Sequence, residues 1–205
     1  MILQKLSYAF PRDTKDLVGI DSRVEELMSL LAIGSNDVRI IGVWGMGGIG
    51  KTTLARVVYH IVFNEFEGGS FINNIREVSE KYGLLPSQQK LISEILMERS
   101  INIQDVDDGV LMIKNRLYHK RILLVLDVVN QFNQLEKLAR EHNWFGSSSR
   151  VIITTRDKHL LKRHNLNGIY EVKGLNDDDA LYLFSLKAFN NNHPAEDYLK
   201  LSKQL

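Results

Sequence analysis

One stretch of eight residues limits what this chain can fold into more than any other. Residues 45–52 read Gly-Met-Gly-Gly-Ile-Gly-Lys-Thr and match the pattern G-x-x-x-x-G-K-[ST]. The stretch lies between a β-branched, apolar segment at 38–44 and a helical pattern that begins at about Lys51. Glycines let the backbone curl until successive N–H groups point at one anion, and a helix N-terminus behind them adds partial positive charge. The motif therefore predicts a phosphate-binding loop.

The side chains of this loop are predicted to bind different parts of a nucleotide. Lys51 would place its charge at the β- and γ-phosphates, the Thr52 hydroxyl would bind Mg²⁺, and Thr53 would reach the α-phosphate. A glycine-rich turn with a chance lysine is the alternative, and the flanking strand and helix argue against it. The predicted nucleotide-binding residues of the loop are Gly45, Met46, Gly47, Gly48, Ile49, Gly50, Lys51, Thr52 and Thr53.

Asp127 is predicted to be the second ligand of the metal. It ends the apolar segment 121–127, which has the composition of a strand buried on both faces. A carboxylate at the end of a parallel strand beside the loop can hold Mg²⁺ directly or through water. Taken alone, such an aspartate is more often a turn former or a helix cap. Its occurrence together with the loop favours the metal site, with Thr52 and Asp127 as the protein ligands.

Arg156 follows another apolar strand, predicted at 150–155, within the run Thr154-Thr155-Arg156-Asp157. An arginine at the tip of that strand could contact the γ-phosphate from the side opposite the loop. The alternative is an exposed ion pair between Arg156 and Asp157, which would contribute little to stability. The residues alone leave these two interpretations open.

Strand-like and helix-like segments alternate along the chain, and this alternation predicts a parallel sheet covered on both faces. Strands are predicted at 38–44, 71–75, 121–127, 150–155 and 169–172. Helices are predicted at 22–32 with Ser22 as the cap, from about Lys51, at 87–99, at 106–118, and from Asn176 or Asp177 to Phe189. Residues 1–16 read as a linker or tail.

Composition excludes several classes of function. Lys and Arg number 26 against 25 Asp and Glu, so a general electrostatic attraction to nucleic acid is not expected. The chain has no cysteine, which excludes disulfides and thiolate metal sites. No segment is long and apolar enough to span a membrane, and the interpretation is a cytoplasmic protein, with the nucleus as a possible second location. The absence of an Asn-Lys-x-Asp guanine-binding motif makes adenine the expected base.

The order of these segments resembles the NB-ARC domain of plant TIR-type NBS-LRR disease-resistance proteins, a group of signal-transducing P-loop ATPases. The resemblance covers about residues 17–205. It is carried by the loop and by the blocks 17–23, 66–79, 146–157 and 170–184. It implies a three-layer P-loop NTPase fold with a five-stranded parallel sheet, in which strand 150–155 lies between the loop strand and the Asp127 strand. Residues 17–175 would be the nucleotide-binding domain, and 176–205 the start of a truncated, helical ARC-type subdomain.

The resemblance also assigns roles to residues. Val18 and Gly19 would border the adenine, and Arg156 would sense the γ-phosphate. The implied ligands are ADP or ATP with Mg²⁺. The implied function is a molecular switch in plant immune signalling, with self-association or association with related NBS-LRR proteins.

Two departures from the family pattern limit these expectations. The second aspartate that usually follows the apolar strand is Val128 here, so at most a slow ATPase is expected. The later segments Gly-Leu-Pro-Leu and Met-His-Asp do not occur in the 205 residues. An alternative hypothesis is therefore a truncated interaction module that does not cycle and pairs with full-length resistance proteins.

Overall fold

Five strands form one sheet in the computed structural model, which describes residues 17–189. The strands are β1 (Arg39–Trp44), β2 (Gly68–Ile72), β3 (Ile122–Val129), β4 (Arg150–Thr155) and β5 (Gly168–Glu171). Their order across the sheet is β2-β3-β4-β1-β5, and every neighbouring pair is parallel. The predicted α/β fold with a five-stranded parallel sheet is confirmed, and β4 lies between the loop strand β1 and the Asp127 strand β3.

Helices cover both faces of the sheet. They are α1 (Ile20–Leu31), α2 (Lys51–Val62), α3 (Ile75–Tyr82), α4 (Leu85–Leu96), α5 (Val106–Leu117), α6 (Phe132–Leu138), α7 (Lys158–Arg163) and α8 (Asp177–Phe189). Within residues 17–189, no helix is both long and apolar enough to cross a bilayer. The predicted linker 1–16 and the part of the predicted subdomain after 189 lie outside the described residues.

The strands divide their side chains between two apolar clusters. Ile41, Val43 and Ile152 pack with α1 and α2 on one face. Ile40 and Ile153 pack with α4 and α5 on the other. Because each inner strand buries both faces, the strands read as continuous apolar runs in the sequence. The carboxyl ends of β1, β3 and β4 meet at one edge, and this places the loop, Asp127 and Arg156 together.

Two predicted boundaries were wrong for local reasons. Strand β2 begins at Gly68, earlier than the predicted 71–75, because the pair Gly68-Gly69 reads as a turn. A Cβ on Gly68 would lie 2.6 Å from the carbonyl oxygen of Ile95, so glycine allows α4 to pack on this strand. Helix α1 begins at Ile20 after Gly19 in a left-handed conformation (φ 62°), so Ser22 is inside the helix.

Because His164 is buried, we expect the folded state to lose stability in mild acid. One imidazole nitrogen, Nε2, lies 2.9 Å from the carbonyl oxygen of Ala139, while Nδ1 is buried and has no hydrogen-bond partner among residues 17–189. Burial lowers the pKa of His164 and outweighs the hydrogen bond to the Ala139 backbone, which raises it, while the charge of His142 lowers it further. The unfolded chain therefore binds a proton more readily, and stability that is complete above about pH 6.5 is lost as the pH falls, by at most about 1.4 kcal/mol per pH unit.

Urea unfolding at pH 7 and pH 5 tests this pH dependence. We expect His164→Gln to flatten it, since an amide donates to Ala139 but does not titrate. Substitution of His159, an exposed histidine on helix α7, which ends just before His164, is the matched control. Equal flattening by both variants would contradict the assignment to His164.

Candidate nucleotide-binding site

The loop between β1 and α2 has the backbone geometry of an anion cradle. Gly48 and Gly50 adopt positive φ angles of 77° and 94°, which favour glycine, and a Cβ added at either position would meet no atom of the described residues within 4 Å. Gly50 is the N-cap of α2, and it has no side chain to cap the first amides. The first amides of a helix have no partner inside it, so this helix end suits an anion. The donor set and the open space above it therefore fit phosphate groups.

The Lys51 side chain curls back over the loop. Its Nζ donates to the carbonyl oxygens of Gly45 (2.9 Å) and Met46 (2.7 Å). Burial lowers the pKa of Lys51, and the positive charge of Arg156 lowers it further, while Asp127 acts in the opposite direction. Met46 contributes its backbone carbonyl, because its side chain is exposed. The ammonium group is thus held at the mouth of the cradle.

Thr52 and Asp127 come together as the motifs predict. The Thr52 hydroxyl donates to Asp127 Oδ1 at 2.8 Å across 75 residues of sequence. Asp127 is only 3% exposed. A hydroxyl oxygen beside a carboxylate supplies the oxygen ligands that Mg²⁺ prefers. The residues present therefore fit a magnesium ion at this position.

Arg156 lies on the other side of the loop. A Cβ built on Gly47 would lie 2.9 Å from the Arg156 guanidinium carbon, so the glycine allows the two to approach. Asp157 caps α7 by accepting from the amide of His159 at 2.8 Å. Lys51, Thr52, Val128 and Arg156 line one cavity of about 240 Å³. Asp157 is thus engaged at the start of α7, while Arg156 lines the cavity beside the loop.

A larger, apolar cavity of about 620 Å³ adjoins the loop. Its walls include Val18, Ile49 and Thr53 from the predicted set. Gly19 lies against the start of α8, since a Cβ added to it would lie 2.9 Å from both Asp179 Oδ2 and Leu175 Cδ2. Gly19 thus lets the start of α8 approach α1 and close the cavity.

Sequence reasoning missed the residues that close this cavity from the far side. Leu175 lies just before α8, and Ala180 and Leu183 belong to it. Their apolar spacing in the sequence predicts a helix, but it does not show which part of the molecule that helix packs against. The helix itself begins as predicted, because Asn176 Oδ1 accepts from the amide of Asp179 at 2.8 Å.

Val128, the departure from the family pattern, has an unusual backbone. Its φ angle is 58°, a left-handed conformation that is rare for a β-branched residue. It lies in a bulge, because three steps along β3 from Leu126 to Val129 match two steps along β4 from Ile153 to Thr155. The backbone of Val128 is therefore strained. Its side chain lines the cavity that also contains Lys51 and Arg156.

Comparison with known proteins places this geometry in a family. The sequence profile of the NB-ARC domain matches residues 20–194. Disease resistance protein RUN1 of Vitis rotundifolia is 49% identical over 93% of this chain and 14% of its own length. TMV resistance protein N of Nicotiana glutinosa is 42% identical over 93% of this chain and 17% of its own length. The chain thus spans about a sixth of the length of these relatives.

A solved structure agrees on the fold. The crystal structure of Cdc6p from Pyrobaculum aerophilum superposes with a TM-score of 0.52 over 80% of this chain and 47% of that one. At 15% sequence identity, this likeness concerns the fold alone.

Proposed function

The chain belongs to the NB-ARC domain family of plant disease resistance proteins, and from that premise we propose that it binds ADP or ATP with Mg²⁺ as a nucleotide-dependent switch. The observation that carries the proposal is the continuity of two cavities. The apolar cavity of about 620 Å³ and the cavity of about 240 Å³ beside Lys51 are both lined by Gly48, Gly50, Thr52 and Thr53. A ligand with an apolar, flat base and a chain of phosphates would fill both, whereas free phosphate would fill one.

Each residue has a role in this proposal. Val18 and Ile49 pack against the base, and the amides of the loop with Lys51 bind the phosphates. Thr52 and Asp127 would hold Mg²⁺, which neutralises phosphate charge when bound. Arg156 binds the γ-phosphate.

The switch depends on that last contact. ADP and ATP differ only in the γ-phosphate, and a ligand shifts a conformational equilibrium only by its differential affinity for the two states. In the proposal Arg156 supplies that difference, and its place with Lys51 and Thr52 in the wall of one cavity supports this role. In the proposal, ADP holds a closed form and ATP an open form that associates with further copies or with related resistance proteins.

Replacing Lys51 with alanine tests nucleotide binding directly. Loss of charge-assisted hydrogen bonds to phosphate oxygens, each about 1.5–3 kcal/mol, is expected to weaken ADP binding by about 100-fold. Calorimetric titration of ADP in Mg²⁺ measures this loss. The nucleotide released on denaturing the purified chain, expected to be ADP, gives an independent readout.

Lys158→Ala is the matched control. Lys158 lies over the Trp44 ring at 4.3 Å, near the same sheet edge, and lines neither cavity. We expect its ADP affinity to equal that of the original chain. Equal binding by the original chain and Lys51→Ala, or no binding by either folded protein, would overturn the proposal.

A further inference from the structure

The bulge at the end of β3 contains both Asp127 and Val128, and the ordinary ladder of backbone hydrogen bonds is interrupted there. In its place, the amide of Val128 donates to the hydroxyl of Thr154 on β4 at 2.9 Å. The same hydroxyl donates to Asp127 Oδ1 at 2.7 Å. Thr154 is completely buried, so solvent does not compete for these two hydrogen bonds.

Two hydroxyl groups therefore converge on a single carboxylate oxygen. Thr52 reaches Asp127 Oδ1 from the loop side at 2.8 Å, and Thr154 reaches it from the sheet. Because a hydroxyl has one hydrogen, Thr154 must give that hydrogen to Asp127 and accept from Val128. The direction of both bonds is thus fixed, and so is the orientation of the carboxylate.

We propose that Thr154 is a positioning residue for the metal site, holding the Asp127 carboxylate in the orientation that binds a divalent cation beside Thr52. The inference rests on the proposed function, since it concerns the metal that accompanies the nucleotide. It adds a residue that acts through another: Thr154 lines the 240 Å³ cavity, as Thr155 does, but its hydroxyl is occupied by Asp127 and the amide of Val128. A partner of this kind orients a metal ligand, and its loss typically costs about 10–100-fold in metal affinity.

Thr155 offers a matched comparison on the same strand. Its hydroxyl donates to the carbonyl oxygen of Val129 at 2.6 Å and accepts from the amide of Asp157 at 3.1 Å. It is also buried, and no hydrogen bond joins it to Asp127 in the described part of the chain. If Thr154 merely stabilised the bulge, loss of either hydroxyl would have the same effect. If Thr154 positions the carboxylate, only the loss of the Thr154 hydroxyl should weaken metal binding.

The test compares three variants of the full chain: Thr154→Val, which keeps the shape without the hydroxyl, Thr154→Ser, which keeps the hydroxyl, and Thr155→Val. Mn²⁺ is titrated into protein present in excess over ADP, and bound Mn²⁺ is measured by electron paramagnetic resonance. Urea unfolding and ADP affinity in EDTA are measured alongside. We expect Thr154→Val to raise the Mn²⁺ midpoint about tenfold with ADP affinity in EDTA unchanged. Thr154→Ser and Thr155→Val should keep the original midpoint.

An unchanged Mn²⁺ midpoint in Thr154→Val, or an equal rise in Thr155→Val, would overturn the inference and leave the proposed function standing. If the original chain binds ADP but no Mn²⁺ binds with it, the inference is likewise overturned and the proposed function stands. No ADP binding by the original chain would overturn the proposed function itself, and the inference with it. Should Thr154→Val fail to fold, Thr154→Ser and Thr154→Ala provide the same comparison with and without the hydroxyl.

Discussion

Changing Val128 to aspartate is expected to raise ATP turnover by at least about 100-fold, because a positioned general base contributes about 10²–10⁴ in rate. Valine has no proton acceptor, yet Val128 lines the cavity that holds Lys51, Thr52 and Arg156. A carboxylate there would lie where a water could attack the γ-phosphate. Single-turnover hydrolysis at saturating ATP measures the change without a contribution from binding.

Val128→Asn is the control for the shape and backbone of the new side chain. Asparagine and aspartate both tolerate a positive φ better than valine, so both variants should relieve the strain at 58° and stabilise the folded state by about 1 kcal/mol. Only the aspartate should accelerate hydrolysis. Rapid hydrolysis by the original chain would contradict the prediction, and Glu77 or Glu80, which line the adjoining cavity with Asp127, would then be the candidate bases.

The features that could be predicted from the sequence are those encoded by contiguous residues. The loop needs glycines, a lysine and a threonine in a fixed order, so residues 45–52 identify themselves. Asp127 and Arg156 each end an apolar strand, and parallel strands bring such ends to one edge. The position of β4 inside the sheet came from the resemblance, because local pattern does not specify strand order.

The remainder of the site depends on contacts between distant residues. The role of Gly19 becomes visible only from its close approach to Asp179. The role of Thr154 depends on a bulge in β3 that the sequence pattern does not predict. Short helices were missed for a related reason. Helix α7 has six residues, too few for a periodic pattern, and is set by the Asp157 cap.

Arg150 shows how strongly a distant contact can govern stability, and its replacement by methionine is expected to cost at least about 3 kcal/mol. The side chain is completely buried. Its guanidinium donates to the carbonyl oxygens of Leu31 and Ala32 at the end of α1, and also to those of Ser35 and Asp37. Methionine would fill the space but remove the guanidinium donors from the carbonyl oxygens of Leu31, Ser35 and Asp37, at about 1–3 kcal/mol for each that stays buried. The Ala32 carbonyl would keep its hydrogen bonds from the amide and hydroxyl of Ser35.

The replacement of a buried ion pair by apolar groups can be neutral, but that requires both partners to be removed. Here the acceptors are backbone carbonyls and remain. Arg150→Lys should also destabilise, since three donors on one ammonium group cannot reproduce the planar guanidinium. Urea unfolding would measure both losses against a total stability of about 5–15 kcal/mol for a typical domain.

Arg39→Met is the matched control for the Arg150 substitution, because Arg39 is the register partner of Arg150 on β1. Its side chain is 30% exposed, pairs with Asp37 at 2.9 Å and donates one hydrogen bond to a backbone carbonyl, that of Leu30, at 3.1 Å. A surface pair of this kind contributes up to about 1 kcal/mol, so we expect a small loss. Equal losses for the two arginines would show that the buried hydrogen bonds of Arg150 do not dominate. If they do, Arg150 fixes α1 to β4 at one end of the sheet, and so fixes the relative positions of Val18 and Arg156 at the other.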